Sequence, residues 1–215
     1  MVVGVAVATQ SGAAGPLRRT PMQVRSVAKV ARMLDTCAEL IDEVGYEALT
    51  TTLLAERAGV AIGSVYQFFP DKRAVVAALT VRNVEAYVRR VSDRMASGGF
   101  SRWVDAVDVA LDEYIDMHRN VPGFRTLHFG DVVDLNLLDP DRDNNTIIVD
   151  QLGSLLGEHF NLERDDRLAF ALAMAVEMAD ALVKAAFRYQ VEGDERILAE
   201  AKQIIRDYLD RSIPA

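Results

Sequence analysis

The sequence predicts an all-α fold, and three observations carry that prediction. Apolar residues recur at the 3.6-residue period of a helix along most of the 215-residue chain, no stretch alternates as a half-buried strand would, and residues 50–72 spell two short helices set around one glycine. The pattern divides the chain into a disordered tail over 1–20, a three-helix unit over 21–70 that holds this motif, and a longer helical unit over 71–215. No internal repeat is present.

The first helix is expected from about Met22 to Val44, with Val27, Ala31, Leu34, Ala38 and Ile41 as its apolar stripe and Gly45 as its stop. Thr50 offers a hydroxyl cap to a second helix, and Leu49 and Leu54 fall at the two positions of a hydrophobic staple. Gly59 ends that helix, because a residue without a β-carbon takes the left-handed conformation at little cost. The third helix, about Ile62 to Phe69, turns Val65, Phe68 and Phe69 inward to share a small core with Leu54, Ala58 and Val60, while Ala55 leaves room for a close crossing. The same period places Ala61, Ile62, Gly63, Tyr66 and Gln67 on the outside.

Two helices clamped in this way form a helix-turn-helix, and the partner it implies is double-stranded DNA. Gln67 can offer a paired donor and acceptor to an adenine edge, Ala61 and Ile62 can touch a thymine methyl, and Gly63 lets the backbone approach the groove. Tyr66, Ser64 and Lys72 can donate to phosphates, as can the open N–H groups of the helix that follows Pro70 and Asp71.

The segment resembles the DNA-binding domain of the tetracycline-repressor (TetR) family. That family's signature runs Thr, apolar residues, Ala, Ala-Gly-Val, then Gly-Ser/Thr-apolar-Tyr-x-aromatic-Phe-x-x-Lys. Here it reads Thr50, Leu54, Ala55, Ala58-Gly59-Val60, Gly63-Ser64-Val65-Tyr66, Phe68-Phe69 and Lys72. The specific match covers about residues 22–80, and beyond it only the helical layout and the length are similar. The resemblance implies that Thr51, Tyr66 and Lys72 bind phosphate, while Thr52, Ile62, Gly63, Ser64 and Gln67 approach bases. Ala61 stands where a capping Ser is usual, and Gln67 where His is usual, so the base preference of relatives does not transfer.

The formal net charge of −8 is unevenly divided. Residues 16–73 hold 8 Lys/Arg against 7 Asp/Glu, and residues 74–215 hold 16 against 25, so a head of about +1 precedes a body of −9. Arg18, Arg19, Arg25, Lys29 and Arg32 come with no acid among them and are expected to lie along a DNA backbone. The acidic body would keep non-specific binding low. Residues 1–15 carry no charge but lack the basic start and long apolar core of a signal peptide. No apolar run is long enough to span a bilayer, so a cytoplasmic protein without membrane contact is expected. Cys37, on a seven-residue spacing with Val30 and Val44, reads as a buried small hydrophobe rather than a redox sensor.

Downstream, helices are expected over about Asp71–Ala96, Arg102–Arg119, a turn or short helix at Phe124–Phe129 after Pro122-Gly123, Asn144–Phe160, Arg164–Tyr189 and Asp194–Ile213, the last two hinged at Gly193. Residues 168–187 are apolar on nearly every face, which asks for cover on both sides. One face would pack on its own domain, and the Ala-rich face, with Ile197, Ile204, Ile205 and Leu209, on the mate in a homodimer. TetR relatives are similar in this. The C-terminal unit would then serve for dimerisation and ligand binding.

The fifth helix sets Trp103, Ala110, Tyr114 and Met117 on one line and Val104, Leu111 and His118 on the next. Facing them, Tyr87, Met95, Met174, Glu177 and Met178 would complete a cavity for a small apolar or amphipathic effector, with His118 and Glu177 as polar anchors. Structural readings compete: His118 as a satisfied core histidine, and Glu177 as a carboxylate paired near Lys184. The idea of an inducer pocket rests largely on the resemblance.

An enzyme fails on inventory. The three histidines, 118, 128 and 159, show no metal spacing with cysteine or each other, no glycine-rich phosphate loop follows a strand, and no Ser or Cys has a readable base partner. No cofactor or metal is expected. Three readings therefore stand, in order: a homodimeric repressor released from a palindromic operator by a ligand, a DNA-binding regulator controlled by a partner protein, and an enzyme with a helical cavity.

Overall fold

The computed structural model describes residues 24–100, 102–127 and 144–213, with the backbone alone at residues 24, 25 and 144. The tail expected over 1–20, the helix start at Met22, His128 and the side chains of Arg18, Arg19 and Arg25 lie outside the described residues. Those residues form nine helices and no strand: α1 Val24–Ala48, α2 Thr51–Ala58, α3 Ile62–Phe68, α4 Lys72–Ala96, α5 Trp103–Asn120, α6 Phe124–Leu127, α7 Asn144–Phe160, α8 Asp166–Phe187 and α9 Glu195–Ser212.

The chain marks the helix ends with side chains. Thr50, Asp71 and Asp165 each accept a hydrogen bond from the backbone N–H three residues on, at 3.1, 2.8 and 2.8 Å, and Asp194 accepts from the Arg196 N–H at 2.9 Å. Such caps satisfy donors that the first helical turn leaves open. Gly45 breaks α1 at φ 76°, ψ 169°, where the sequence places its stop.

Two cores form. The first gathers Val30, Met33, Leu34, Cys37, Ala38 and Ile41 of α1, Leu49, the inner faces of α2 and α3, and Ala74–Leu79 of α4. It therefore continues nine residues past the boundary drawn at residue 70, because α4 is the helix that closes the head. The buried face of α1 is rotated from the expected stripe: Val27 is 53% exposed and Ala31 is exposed, whereas Met33, Cys37 and Leu40 are fully covered. The rotation brings Met33 and Leu40 into the core, and burial of a Met or Leu is worth roughly 1.5–3 kcal/mol. Burial also pushes the Cys37 thiol up to about 12, a rise that the charge of Arg82 only partly offsets. A thiol so placed is a core hydrophobe with no reactive thiolate at neutral pH.

The second core runs from Val84 of α4 through α5, α7, α8 and α9. Ion pairs strap α5 to α9 on its outer side: Asp108 with Arg206 at 2.6 Å, Asp112 with Lys202, and Arg119 with Glu195 at 2.5 Å. The orientation of α8 differs from expectation. Its Ala-rich face points inward, with Ala171, Ala175 and Ala186 buried, and the face left outside carries Phe170, 67% exposed, Met174 and Ala181. Ile205 and Leu209 of α9 are likewise buried in their own chain, while Ile204 is exposed. Small residues face inward because α8 packs against both α7 and α9, where close approach needs small side chains.

Candidate nucleic-acid interface and internal cavity

The turn between α2 and α3 is built on Gly59, whose φ of 64° and ψ of 38° place it in the left-handed region. Its N–H donates to the Glu56 carbonyl at 3.2 Å and the Val60 N–H to the Ala55 carbonyl at 3.0 Å, the Schellman closure of a helix. Leu49 and Leu54, each 1% exposed, hold the entry to α2. With Val65, Phe68 and Phe69 buried below, Ala61, Ile62, Gly63, Tyr66 and Gln67 are left exposed on one side of α3, and Thr52 is exposed at the start of α2. Ser64 is half-buried. Ala61 occupies the cap position of α3 without a side-chain hydrogen bond, so the open N–H groups of that end are not met by a hydroxyl.

Two of the expected phosphate contacts meet. The Thr51 and Tyr66 hydroxyls share a hydrogen bond of 3.1 Å across α2 and α3, which fixes the Tyr66 ring relative to both helices. Lys72 sits differently from a solvated surface lysine. Its ammonium lies 4.4 Å from the centre of the Tyr46 ring and donates to the Tyr46 and Glu47 carbonyls at 3.1 Å each, where the end of α1 leaves carbonyls unsatisfied. Arg57 pairs with Glu43 through two contacts of 2.9 Å, tying α2 to α1.

A connection to the rest of the chain lies on the other side of α1. Asp42 accepts from the Gly123 N–H and from the Thr126 hydroxyl, both at 2.7 Å, so the α5–α6 corner is held directly on α1. Arg82 of α4 pairs with Asp35 at 2.6 Å beside it.

Inside the second core are two small voids, about 60 and 40 Å³, the larger lined almost wholly by apolar side chains and the smaller by apolar side chains together with polar ones. Tyr87, Leu111, Val176 and Ala179 line both, so the two voids adjoin across these side chains. Leu152, Leu155 and Leu156 of α7 and Ala175 of α8 face the larger void, and Tyr114, Asn145 and Asp180 the smaller. The Tyr87 hydroxyl donates to the Ala110 carbonyl at 3.1 Å, and burial, then the charge of Glu113, push the phenol far above its usual range, so it stays neutral.

Of the residues expected at a cavity, Tyr87 and Leu111 line both voids, Met95 and Ala110 the larger and Tyr114 the smaller. Trp103, Met117 and His118 are buried in the same core but line neither. His118 packs against Tyr114, Phe124 and Phe187 with its Nδ1 2.9 Å from the Tyr114 carbonyl, the satisfied core arrangement. Met174, Glu177 and Met178 line neither void, because α8 turns Leu172, Ala175, Val176 and Ala179 inward. Met174 is exposed, Met178 half-buried, and Glu177 accepts from Asn145 at 2.6 Å. Lys184 pairs with Asp180, not Glu177, at 2.7 Å. The lining contributed by α7 escaped the sequence reading; the Ala175-Ala179 spacing on α8 was the one available sign of the inward face.

The model for bacterial regulatory proteins of the tetR family matches residues 33–79, and the model for the tetracyclin repressor-like C-terminal domain matches residues 101–213, over half the chain. The chain belongs to the TetR family. A solved TetR-family transcriptional regulator from Streptomyces coelicolor is 42% identical to it, with a TM-score of 0.74, over 86% of this chain and 99% of that one. The HTH-type transcriptional repressor KstR of Rhodococcus jostii is 39% identical over 54 residues, 25% of this chain and 26% of that protein. KstR of Mycolicibacterium smegmatis is 35% identical over 68 residues, 32% and 33% of the two chains. These alignments span only about a quarter to a third of the KstR chains. As a TetR-family member the chain is a DNA-binding transcriptional regulator and not an enzyme. No helix among the described residues is long and apolar enough to cross a membrane.

Proposed function

We propose that this TetR-family regulator is a homodimeric repressor that holds a palindromic operator and releases it when a small apolar or amphipathic effector fills the divided cavity. The observation that carries the reading is the course of α4. One unbroken helix supplies Val75, Val76 and Leu79 to the core of the DNA head and Tyr87, Val91 and Met95 to the cavity wall. The voids are small for a drug-sized ligand, whose sites measure several hundred Å³, so an effector must move a wall to enter, and α4, which carries Tyr87, Val91 and Met95, is the wall element that continues into the head. An effector favours release only by binding better to the form whose heads are wrongly spaced.

At the DNA face, Gln67 and Ile62 read base edges, Thr52, Ala61, Gly63 and Ser64 allow close approach, and Thr51, Tyr66 and Arg25 address phosphates. Lys72, two of whose donors hold the end of α1, gives its third to a phosphate. Gln67→Ala should relax preference at one base position per half-site, a loss of about 1–3 kcal/mol against the matched site. Tyr66→Phe should weaken all sequences alike. Binding measured on an operator and on its single-base variants checks both, and a Tyr66→Phe change in base preference alone would reverse the two roles.

The dimer is formed by the outer faces of α8 and α9, where Phe170, Met174 and Ile204 are exposed apolar residues on neighbouring helices. Two heads then meet half-sites roughly 34–36 Å apart or a multiple of it.

A further inference from the structure

The effector reading above leaves the chemistry of the ligand open, and the smaller void narrows it. Asn145, at the start of α7, lines this void, and its amide N–H donates to Glu177 at 2.6 Å. That bond fixes which end of the amide is which. The opposite atom, Oδ1, is fully buried and has no hydrogen-bond partner, so a ligand donor reaches it only when the wall of the void moves. A buried acceptor left unmade is costly, and a ligand donor that meets it recovers that cost.

The neighbouring polar groups restrict the donor further. Asp180 accepts from the Tyr114 hydroxyl at 2.9 Å and pairs with Lys184 at 2.7 Å, so its charge is already balanced. An ammonium head would enter with no unpaired anion to meet and would lose its hydration in an apolar site. A carboxylate head would meet Asn145 Oδ1 and Asp180, an acceptor and an anion. A neutral hydroxyl meets none of these objections. The larger void, which shares Tyr87, Leu111, Val176 and Ala179 with the smaller one, offers almost wholly apolar lining to the remainder of the molecule.

Resting on the effector reading, we infer that the site takes a neutral alcohol: an apolar body in the larger void and a single hydroxyl that donates to Asn145 Oδ1, with discrimination against a carboxylic acid of the same chain length. A body spanning both voids must pass Tyr87, so the same ligand displaces the side chain that α4 contributes to the partition.

The test uses the full chain and three probes of matched length, 1-octanol, octanoate and 1-methoxyheptane, with binding followed by calorimetry at neutral pH. The alcohol should bind about tenfold or more tightly than both the ether, which lacks a donor, and the acid. Asn145→Leu should abolish the advantage of alcohol over ether while leaving ether binding in place. The comparison on the unmodified chain stands alone if that variant does not fold. Equal binding of alcohol and ether, or tightest binding of octanoate, would overturn the alcohol inference while leaving the cavity as an effector site. Binding of none of the three, with a folded chain and operator bound, would overturn it together with the effector reading.

Discussion

Phe170→Glu should convert the protein to a monomer and lower its affinity for a full operator by about a hundredfold or more, the factor lost when two linked binding events become one. Phe170 lies on the outer face of α8 with two thirds of its surface exposed, and Met174 follows one turn later. In a two-fold contact the introduced carboxylate would be buried and would approach its own copy. Both desolvation and like-charge repulsion then act against association, at several kcal/mol. The single chain keeps its core, because Phe170 supports none of it. Ala179 and Ala186 would be poor places for this substitution: Ala179 lines both voids and Ala186 is 2% exposed, so a charge there would damage the chain itself. Sedimentation of Phe170→Glu reads the outcome, and a stable dimer with unchanged operator affinity would move the interface elsewhere.

Gly123→Ala should separate the α5–α6 corner from α1. A β-carbon at this position would stand 2.9 Å from the Ala38 Cα and 3.0 Å from its carbonyl oxygen, both rigid backbone atoms. The φ of 72° adds strain for any residue with a side chain. Relief requires the corner to lift, and lifting stretches the Gly123 and Thr126 bonds to Asp42, both 2.7 Å. A loss of about 1–3 kcal/mol of stability is expected, read from the denaturation midpoint. The same variant should also weaken the effect of an effector on operator binding, since the α5–α6 corner is a contact between body and head that does not run through α4. A variant as stable as the unmodified chain would mean that the corner sits on α1 without constraint.

The head was legible because its instructions are local. Thr50, Leu49, Leu54 and Gly59 act within one or two turns of their own position, and capping and turn chemistry depend on little beyond that. The starts of α4 and α8 were readable for the same reason, because Asp71 and Asp165 cap the backbone three residues on. Rotation of a helix about its own axis is a different matter. The face of α1 and the face of α8 are chosen by which neighbours cover them, so Val27 and Met174, apolar in a plausible stripe, lie outside. The cavity suffers most from this. Choosing aromatics and methionines selected Trp103 and Met117, which fill the core, over Leu152, Leu156 and Ala175, whose shorter side chains leave the space. Lys72 shows a further limit, since a motif position implied phosphate and the fold directs two of its donors to the end of α1.

The most direct measurement is selection of bound duplexes from a random pool by the full-length protein, with its association state recorded in the same buffer. An enriched inverted repeat, with half-sites about one helical turn apart or a multiple of that, is the predicted result. A folded dimer that enriches no inverted repeat, or a monomer that binds a single unrepeated site with full affinity, would contradict the account of a dimeric operator-binding repressor.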